Sequence, residues 1–465
     1  MENEQDNAPK RGLKNRHIQI IAIAGTIGTG LFLGAGDSIH KTGPTILLVY
    51  LIIGTIMYLL LRAIGEMLYQ DTDQHSFLNF VTRYVGHKAG YFTQWTYWLV
   101  VIFMAMAELT AVGTYLQLWL PNVPTWVTEP VILVILVLLN TLNAKFFGET
   151  EFWFGIIKVA AIFGIILTAI IMLFGQFHYN ANFQGDHIAG TVSLTNIFKD
   201  FHFAPHGLNN FFAAFQLVMF AFVGMEFIGM TAAETLDPQK TLKKAINQIP
   251  IRILFFYIGA LLAIMAILNW REIPAGQSPF VMVFQLIGVK WAANIINFVV
   301  LTSAGSALNS ALFSTSRNLY SLSNTMGGNA TKPFTKLSKN GIPLNALLFT
   351  ALLIFITPFI SLIPAVSNAF IFITSVATNL FIVVYVMTLI TYLKYRKSKD
   401  YKADGFKVPA PKVFIPIALV AFILIFVSLF FFKDTLIPAI GTVVWILVFG
   451  LISWMKKDHH LENKA

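Results

Sequence analysis

The chain has 465 residues, 56% of them hydrophobic and 12% charged, with a mean hydropathy of +0.70. Soluble domains carry about 25% charged residues, so this composition excludes a water-soluble globular protein and points to an all-α integral membrane protein. Cysteine is absent, which removes disulfide frameworks and thiolate metal sites, and the net charge of +10 raises the question of a nucleic-acid partner.

Apolar runs long enough to cross roughly 30 Å of hydrocarbon centre near residues 26, 54, 104, 134, 163, 222, 260, 300, 352, 380, 422 and 445. They predict twelve transmembrane helices over 16–456, between a polar tail at 1–15 and a second tail at 457–465. The first run is too long for the apolar core of a cleavable signal, so it is expected to be retained as a span. With the N-terminus inside, 26 of the 32 lysines and arginines fall on the cytoplasmic face. The opposite face holds Lys41, Lys199, Arg271, Lys290 and Lys433, and Lys158 lies within a span. Such asymmetry satisfies the positive-inside rule and places both termini in the cytoplasm. The basic charge is therefore a topology signal, and no nucleic-acid partner is expected.

In chain order, the first feature is Gly25-Thr-Ile-Gly-Thr-Gly30, inside the apolar stretch from Ile18 to Leu33. Each glycine weakens a helix by roughly 1 kcal/mol relative to alanine. At membrane depth the released backbone groups are tolerated only where they face protein or a wet cavity. Glu66, with Arg62 one turn earlier, reads as a structural pair near the cytoplasmic end of the second span. Glu108 lies in the third span and Lys158 in the fifth, both as costly intramembrane charges. Trp95, Trp98, Trp119, Trp126 and Trp270 fall near span ends, where interfacial aromatics gather. The stretch Gly175 to Leu208 is the one long external loop.

A second break, Gly224-Met-Glu-Phe-Ile-Gly229, interrupts the apolar segment Phe211 to Ala233. The breaks are five spans apart, which suggests two inverted five-span repeats, about 16–175 and 209–396, with discontinuous helices one and six. Helices eleven and twelve, about 412–456, stand outside the pair. Paired breaks are the best sequence pointer to a transporter's substrate site. Gly28, Thr29 and Gly30 offer free N–H groups at a positive dipole end, suited to a carboxylate. The carbonyls of Thr26, Phe220, Ala221 and Val223 suit an ammonium group, and Ile27 and Phe222 complete the candidate substrate pocket. Close helix packing through small residues is the competing reading.

Burial destabilises the charged form of an ionisable group. Lys158 is therefore a candidate proton carrier, or else the static partner of a glutamate. Glu226, inside the second break, is either a proton site or a hydrogen-bond acceptor for unwound backbone. Glu108 is a third candidate for proton coupling. The eighth span carries Thr302, Ser303, Ser306, Asn309 and Ser310, and the tenth Thr374, Ser375, Thr378 and Asn379. Both sets divide between packing and pocket lining. The glycine string lacks the order of a nucleotide loop, and no metal set or catalytic triad is legible, so neither a cofactor nor an enzyme is expected.

Several motifs resemble those of bacterial amino acid permeases in the amino acid–polyamine–organocation superfamily. They are Gly12-Leu-Lys-Asn-Arg-His17, Ile21 to Gly34, Phe147-Gly-Glu-Thr-Glu-Phe-Trp-Phe154 with Lys158, Phe220 to Glu226, Ala232-Ala-Glu-Thr-Leu-Asp-Pro238, and Phe313-Ser-Thr-Ser-Arg317. Within that family Ala245 to Arg252, Ser278-Pro-Phe-Val281 and Asn297 to Ser303 are most similar to D-serine/D-alanine/glycine permeases. The resemblance implies proton-coupled uptake of small neutral amino acids by alternating access across a bacterial cell membrane. It also implies that Lys158 stands where sodium-driven relatives hold a sodium ion. Glu108 departs from the shorter aspartate expected in small-amino-acid permeases, which bears on pocket depth. An L-serine/L-threonine permease on the same scaffold is the alternative. A membrane amino acid sensor is expected to carry a large cytoplasmic domain, which the residues after Met455 do not supply.

Overall fold

The computed structural model describes residues 25–456 apart from 73, 75, 143–146, 184–185, 200, 228–236, 327, 339–340, 361, 364–365, 367 and 403. Both predicted tails, the entry into the first span at 16–24, Lys145, Gly229 and 232–236 of the Ala232–Pro238 motif lie outside the described residues. So do the side chains of 142–152, which include most of the Phe147–Phe154 motif.

Among the described residues, eight helices are long and apolar enough to cross a membrane by length and composition. Three shorter apolar helices, Thr125–Thr141, Gly207–Ala221 and Leu344–Ile360, accompany them. The apolar segment Gly34–Gln70 is itself two helices, Gly34–Thr42 and Ile46–Gln70, joined by a one-turn corner at Gly43–Thr45. Gly43 takes φ +57° there, and Pro44 supplies no N–H. Both features end the first helix and start the next.

Burial orders the helices. In His87–Leu116 and Ala369–Tyr395, 72% of the most apolar window is buried, against 28% and 22% in Pro411–Phe431 and Lys433–Met455. The former two form the centre, where His87–Leu116 packs against both Ala369–Tyr395 and Lys290–Thr325. The last two are peripheral and present Leu424, Leu447 and Leu451 outward. Pro238–Ile267 packs against Ile46–Gln70 and Phe147–Phe174 and so braces the first half of the chain.

Three expectations change. The segment expected to be a plain loop between Gly175 and Leu208 contains an antiparallel hairpin, His178–Phe183 with Asp186–Thr191, and a short helix Thr195–Phe198. Trp119 and Trp126 are exposed as interfacial residues should be. In contrast, Trp95, Trp98 and Trp270 are buried, with Trp95 and Trp98 packed edge to face at 5.7 Å. Glu66 does not pair with Arg62. It accepts from Tyr392 Oη at 2.6 Å and the Val408 N–H at 2.7 Å, with Arg396 Nη1 at 4.0 Å. Arg62 instead donates to Asn247 Oδ1 at 2.5 Å and to the Lys407 carbonyl, and covers the Phe406 ring at 4.1 Å. Together these contacts pin residues 406–408 across the basic end of the bundle.

Gly36 shows how tightly the other end is closed. A Cβ there would run into the Gln277 carbonyl oxygen, a rigid backbone atom. Gly36→Ala should therefore cost about 1–3 kcal/mol as overpacking, read as a lower melting temperature of the detergent-solubilised protein. An unchanged melting temperature would contradict this packing.

Candidate functional site

Helix at Gly25–Thr26 stops at Ile27, and a new helix runs Thr29–Phe32 with Gly28 as its N-cap. Gly28 is extended, at φ −136° and ψ −160°. Its carbonyl accepts from the N–H groups of Leu31 and Phe32, both at 3.2 Å. The N–H groups of Thr29 and Gly30 precede the first intrahelical bond and point from the positive end of the new helix.

The second break begins where Gly207–Ala221 ends. Residues 222–226 are a run of turns, and Gly224 adopts φ +96°. Glu226 folds back on this turn: its Oε2 accepts from the Gly224 N–H at 3.1 Å and from Tyr385 Oη at 3.0 Å. Tyr97 stands close enough to feel the same carboxyl group. A buried acceptor thus satisfies backbone that the helix has released.

Glycine brings the two breaks into contact. A Cβ on Gly30 lies 2.5 Å from Ala221 Cα, and one on Gly224 lies 2.8 Å from the Gly25 carbonyl oxygen. Only residues without a side chain permit these backbones to cross. Tyr257 locks the crossing, its hydroxyl lying 2.9 Å from the Thr26 carbonyl and 2.8 Å from that of Ala221. The Phe220 carbonyl accepts from the Val223 N–H at 3.2 Å. Each carbonyl has two lone pairs, so a hydrogen bond to one of them does not by itself exclude an ammonium group. Ile27 is buried beside the break, and Phe222 packs against the rings of Tyr50 and Tyr257. Phe220 meets the Phe370 ring edge to face at 6.3 Å.

Glu108 enters from the His87–Leu116 helix. Thr29 Oγ1 donates to its Oε1 at 3.1 Å, and the Thr29 N–H donates to the same carboxyl group. A Cβ on Gly28 lies 3.2 Å from Glu108 Oε1, so glycine leaves the space that the carboxyl group uses. Lys158 is buried and its charge acts on Glu108. The structure therefore gathers Gly28, Thr29, Gly30 and Glu108 at one break, with Lys158 within electrostatic reach of Glu108, and places Glu226 at the other.

Sequence reasoning missed Tyr257, Tyr385 and Tyr97. Their only signal is a phenol hydroxyl within an apolar span, which needs a polar partner when buried. Of the small polar residues, Thr302, Thr374 and Ser375 return their hydroxyls to their own helices. Asn309 accepts from Asn140 at 2.7 Å, and Thr378 contacts Gln216. Ser303 Oγ and both amide atoms of Asn379 are buried with no partner among the described residues. The Lys290–Thr325 helix that carries Ser303 and Ser306 touches the Thr29–Phe32 helix. Among the described residues, no group of three His, Asp or Glu side chains could hold a metal ion.

The sequence profile of the amino acid permease family matches residues 17–465. The chain belongs to this family. Among its relatives, the DL-alanine permease SerP2 of Lactococcus lactis subsp. cremoris is 68% identical over 98% of this chain and 97% of the relative. The serine permease SerP1 of the same organism is 60% identical over 98% and 99%. The D-serine/D-alanine/glycine transporter of Escherichia coli K12 is 41% identical over 97% and 95%. Membership makes the chain a multi-pass membrane transporter of amino acids and not an enzyme.

Two substitutions probe the crossing. Gly224→Ala must hold a side chain at positive φ against a backbone oxygen and should cost about 1–3 kcal/mol. Tyr257→Phe should cost about 1–3 kcal/mol by removing the one hydroxyl proton that the two buried carbonyls share. Thermal unfolding in detergent reads both, and wild-type melting in both variants would contradict the geometry.

Proposed function

We propose that the protein imports small neutral amino acids, namely alanine, glycine and serine including the D forms of alanine and serine, together with a proton. The observation that carries this reading is the crossing of the two breaks. In this reading the N–H groups of Thr29 and Gly30 meet the substrate carboxylate, and the carbonyls of Thr26, Phe220, Ala221 and Val223 meet its ammonium group. One end takes a carboxylate and the other an ammonium group, so the site reads the common part of an amino acid. Ile27, Phe222 and the Glu108 carboxyl group wall the pocket and favour small side chains. The names of the three relatives, which give alanine, serine and glycine as their substrates, support the same choice.

Proton coupling follows from the Thr29 contact. Ionised Glu108, held near Lys158, occupies the donors that a substrate carboxylate needs. Protonating Glu108 weakens its hold on Thr29 and frees the cradle for substrate. Return of the proton by way of Lys158 restores the competition on the other face. Glu226 holds the second break in its turn through Gly224 and Tyr385, and it is the proposed gate and further proton site.

In this reading twelve spans cross a bacterial plasma membrane as two inverted repeats, about 16–175 and 209–396, followed by helices at about 412–456. The twelve-span count rests on the apolar runs of the sequence, and the eight long and three shorter apolar helices among the described residues are compatible with it. Both termini face the cytoplasm, as the basic charge distribution favours. The proton gradient takes the place of a cofactor. The serine relative favours a second reading, a serine/threonine permease, on the same cradle.

Proteoliposome uptake tests the proposal. Labelled alanine should accumulate under an inward proton gradient without sodium, with competition from glycine and D- and L-serine. Sodium-dependent uptake without a pH gradient contradicts it, and competition by threonine above alanine selects the second reading. Lys158→Ala should abolish gradient-driven accumulation, and retained uphill uptake would make that lysine structural. Thr29→Leu should remove alanine binding, and normal affinity would remove Thr29 from the cradle.

A further inference from the structure

A cavity of about 180 Å³ lies away from the crossed breaks, lined in part by Leu33, Asp37, Thr110, Thr114, Glu129 and Asn368. None of Gly28, Thr29, Gly30, Glu108 or Ala221 borders it. Leu33 and Asp37 follow Thr29 by four and eight residues, which is about 6 and 12 Å along a helix. Thr110 is two residues beyond Glu108. Gly276 in a loop and Asn368 at a helix N-cap also border the cavity, so it opens among chain turns at the end opposite residues 406–408.

Its lining holds two carboxylate oxygens, Asp37 Oδ2 and Glu129 Oε2, with no partner among the described residues. Asp37 is 1% exposed; its Oδ1 accepts from the Gly276 N–H at 3.2 Å, while its Oδ2 has no partner. Glu129 is 4% exposed, and its Oε2 has no partner. Thr110 and Thr114 spend their hydroxyl protons on the carbonyls of Met106 at 3.0 Å and Thr110 at 3.1 Å, so they can only accept from a ligand. The Asn368 Oδ1 is already engaged by the Ile371 N–H at 3.1 Å. Lys41, His40 and Asp434 act on Asp37, whereas no charged group among the described residues acts on Glu129. Two buried carboxyl groups with open oxygens in one small chamber call for a compact cation bearing several N–H donors.

We propose that this chamber is a second binding site, for a primary ammonium group, with Glu129 as its anchor and Asp37 and the threonine hydroxyls as further acceptors. A substrate amino acid would meet it on the way to or from the crossed breaks. The chamber needs no carboxylate on its ligand, because its two buried carboxyl groups face the ammonium group, so an amine lacking a carboxylate binds there. The proposal goes beyond the transport reading and is independent of proton coupling and of the direction of movement.

Alaninol, the amino alcohol of alanine, is the probe, titrated calorimetrically into the purified protein in detergent. Wild type should bind it, and Thr29→Leu should bind it equally well. Glu129→Gln should weaken binding by about tenfold or more, the loss of a hydrogen bond to a charged group, and Asp37→Asn should weaken it several-fold. Should Glu129→Gln fail to fold, Thr114→Phe, which fills the chamber without removing a carboxyl group, must give the same loss. Absence of alaninol binding to wild type overturns the proposal. So does binding that Thr29→Leu abolishes and Glu129→Gln leaves intact. Alanine uptake plays no part in this readout, so failure of the transport reading leaves the result interpretable.

Discussion

Everything at the centre of this molecule depends on two main chains crossing without side chains between them. Gly30 lies against Ala221 and Gly224 against the Gly25 carbonyl, at separations that a single methyl group would prevent. Helices normally hide their backbone from hydrocarbon. Where they are interrupted, the released groups must find partners inside the protein. In the proposed function, the contact of two interrupted segments turns that liability into a binding site, with backbone donors from one break and acceptors from both. The surrounding packing serves to keep it closed and in register.

Side chains then take up what the breaks release. Tyr257 ties the Thr26 carbonyl to that of Ala221, Glu226 caps the turn at Gly224, and Glu108 takes both donors of Thr29. Two of these three are carboxyl groups that can exchange a proton. In the proposed function, the groups that stabilise the interrupted helices are therefore also the ones that answer the proton gradient. In the proposed cycle, charge at Glu108 and substrate at Thr29 are alternatives. Such exclusivity couples two ligands without a long-range relay, because each state satisfies the same N–H groups.

The breaks were legible in the sequence because glycine clusters inside apolar runs conflict with both helix propensity and the membrane. Lys158, Glu108 and Glu226 were legible for a related reason, since intramembrane charge is costly and therefore conspicuous. Their partners were not. That Glu108 reaches Thr29, 79 positions away, depends on helix packing that no local pattern encodes. Tyr257 and Tyr385 resemble any other aromatic residue in an apolar span until the carbonyls and carboxyl group beside them are known. Glu66 misled because Arg62 is its neighbour on the helix, whereas Tyr392 and Val408 are its neighbours in space. The tryptophans misled similarly: position near a span end places Trp119 and Trp126 outside, but tertiary packing covers Trp95, Trp98 and Trp270. The hairpin at 178–191 carries short polar strands, too weakly patterned to stand out from a loop.

The most direct test of the central claim is a structure of the protein with alanine bound. The account predicts the alanine carboxylate on the N–H groups of Thr29 and Gly30, with Glu108 displaced from Thr29. The ammonium group should then rest on the carbonyls of Thr26, Phe220, Ala221 or Val223. Alanine bound elsewhere, with Glu108 still held by Thr29, would contradict it.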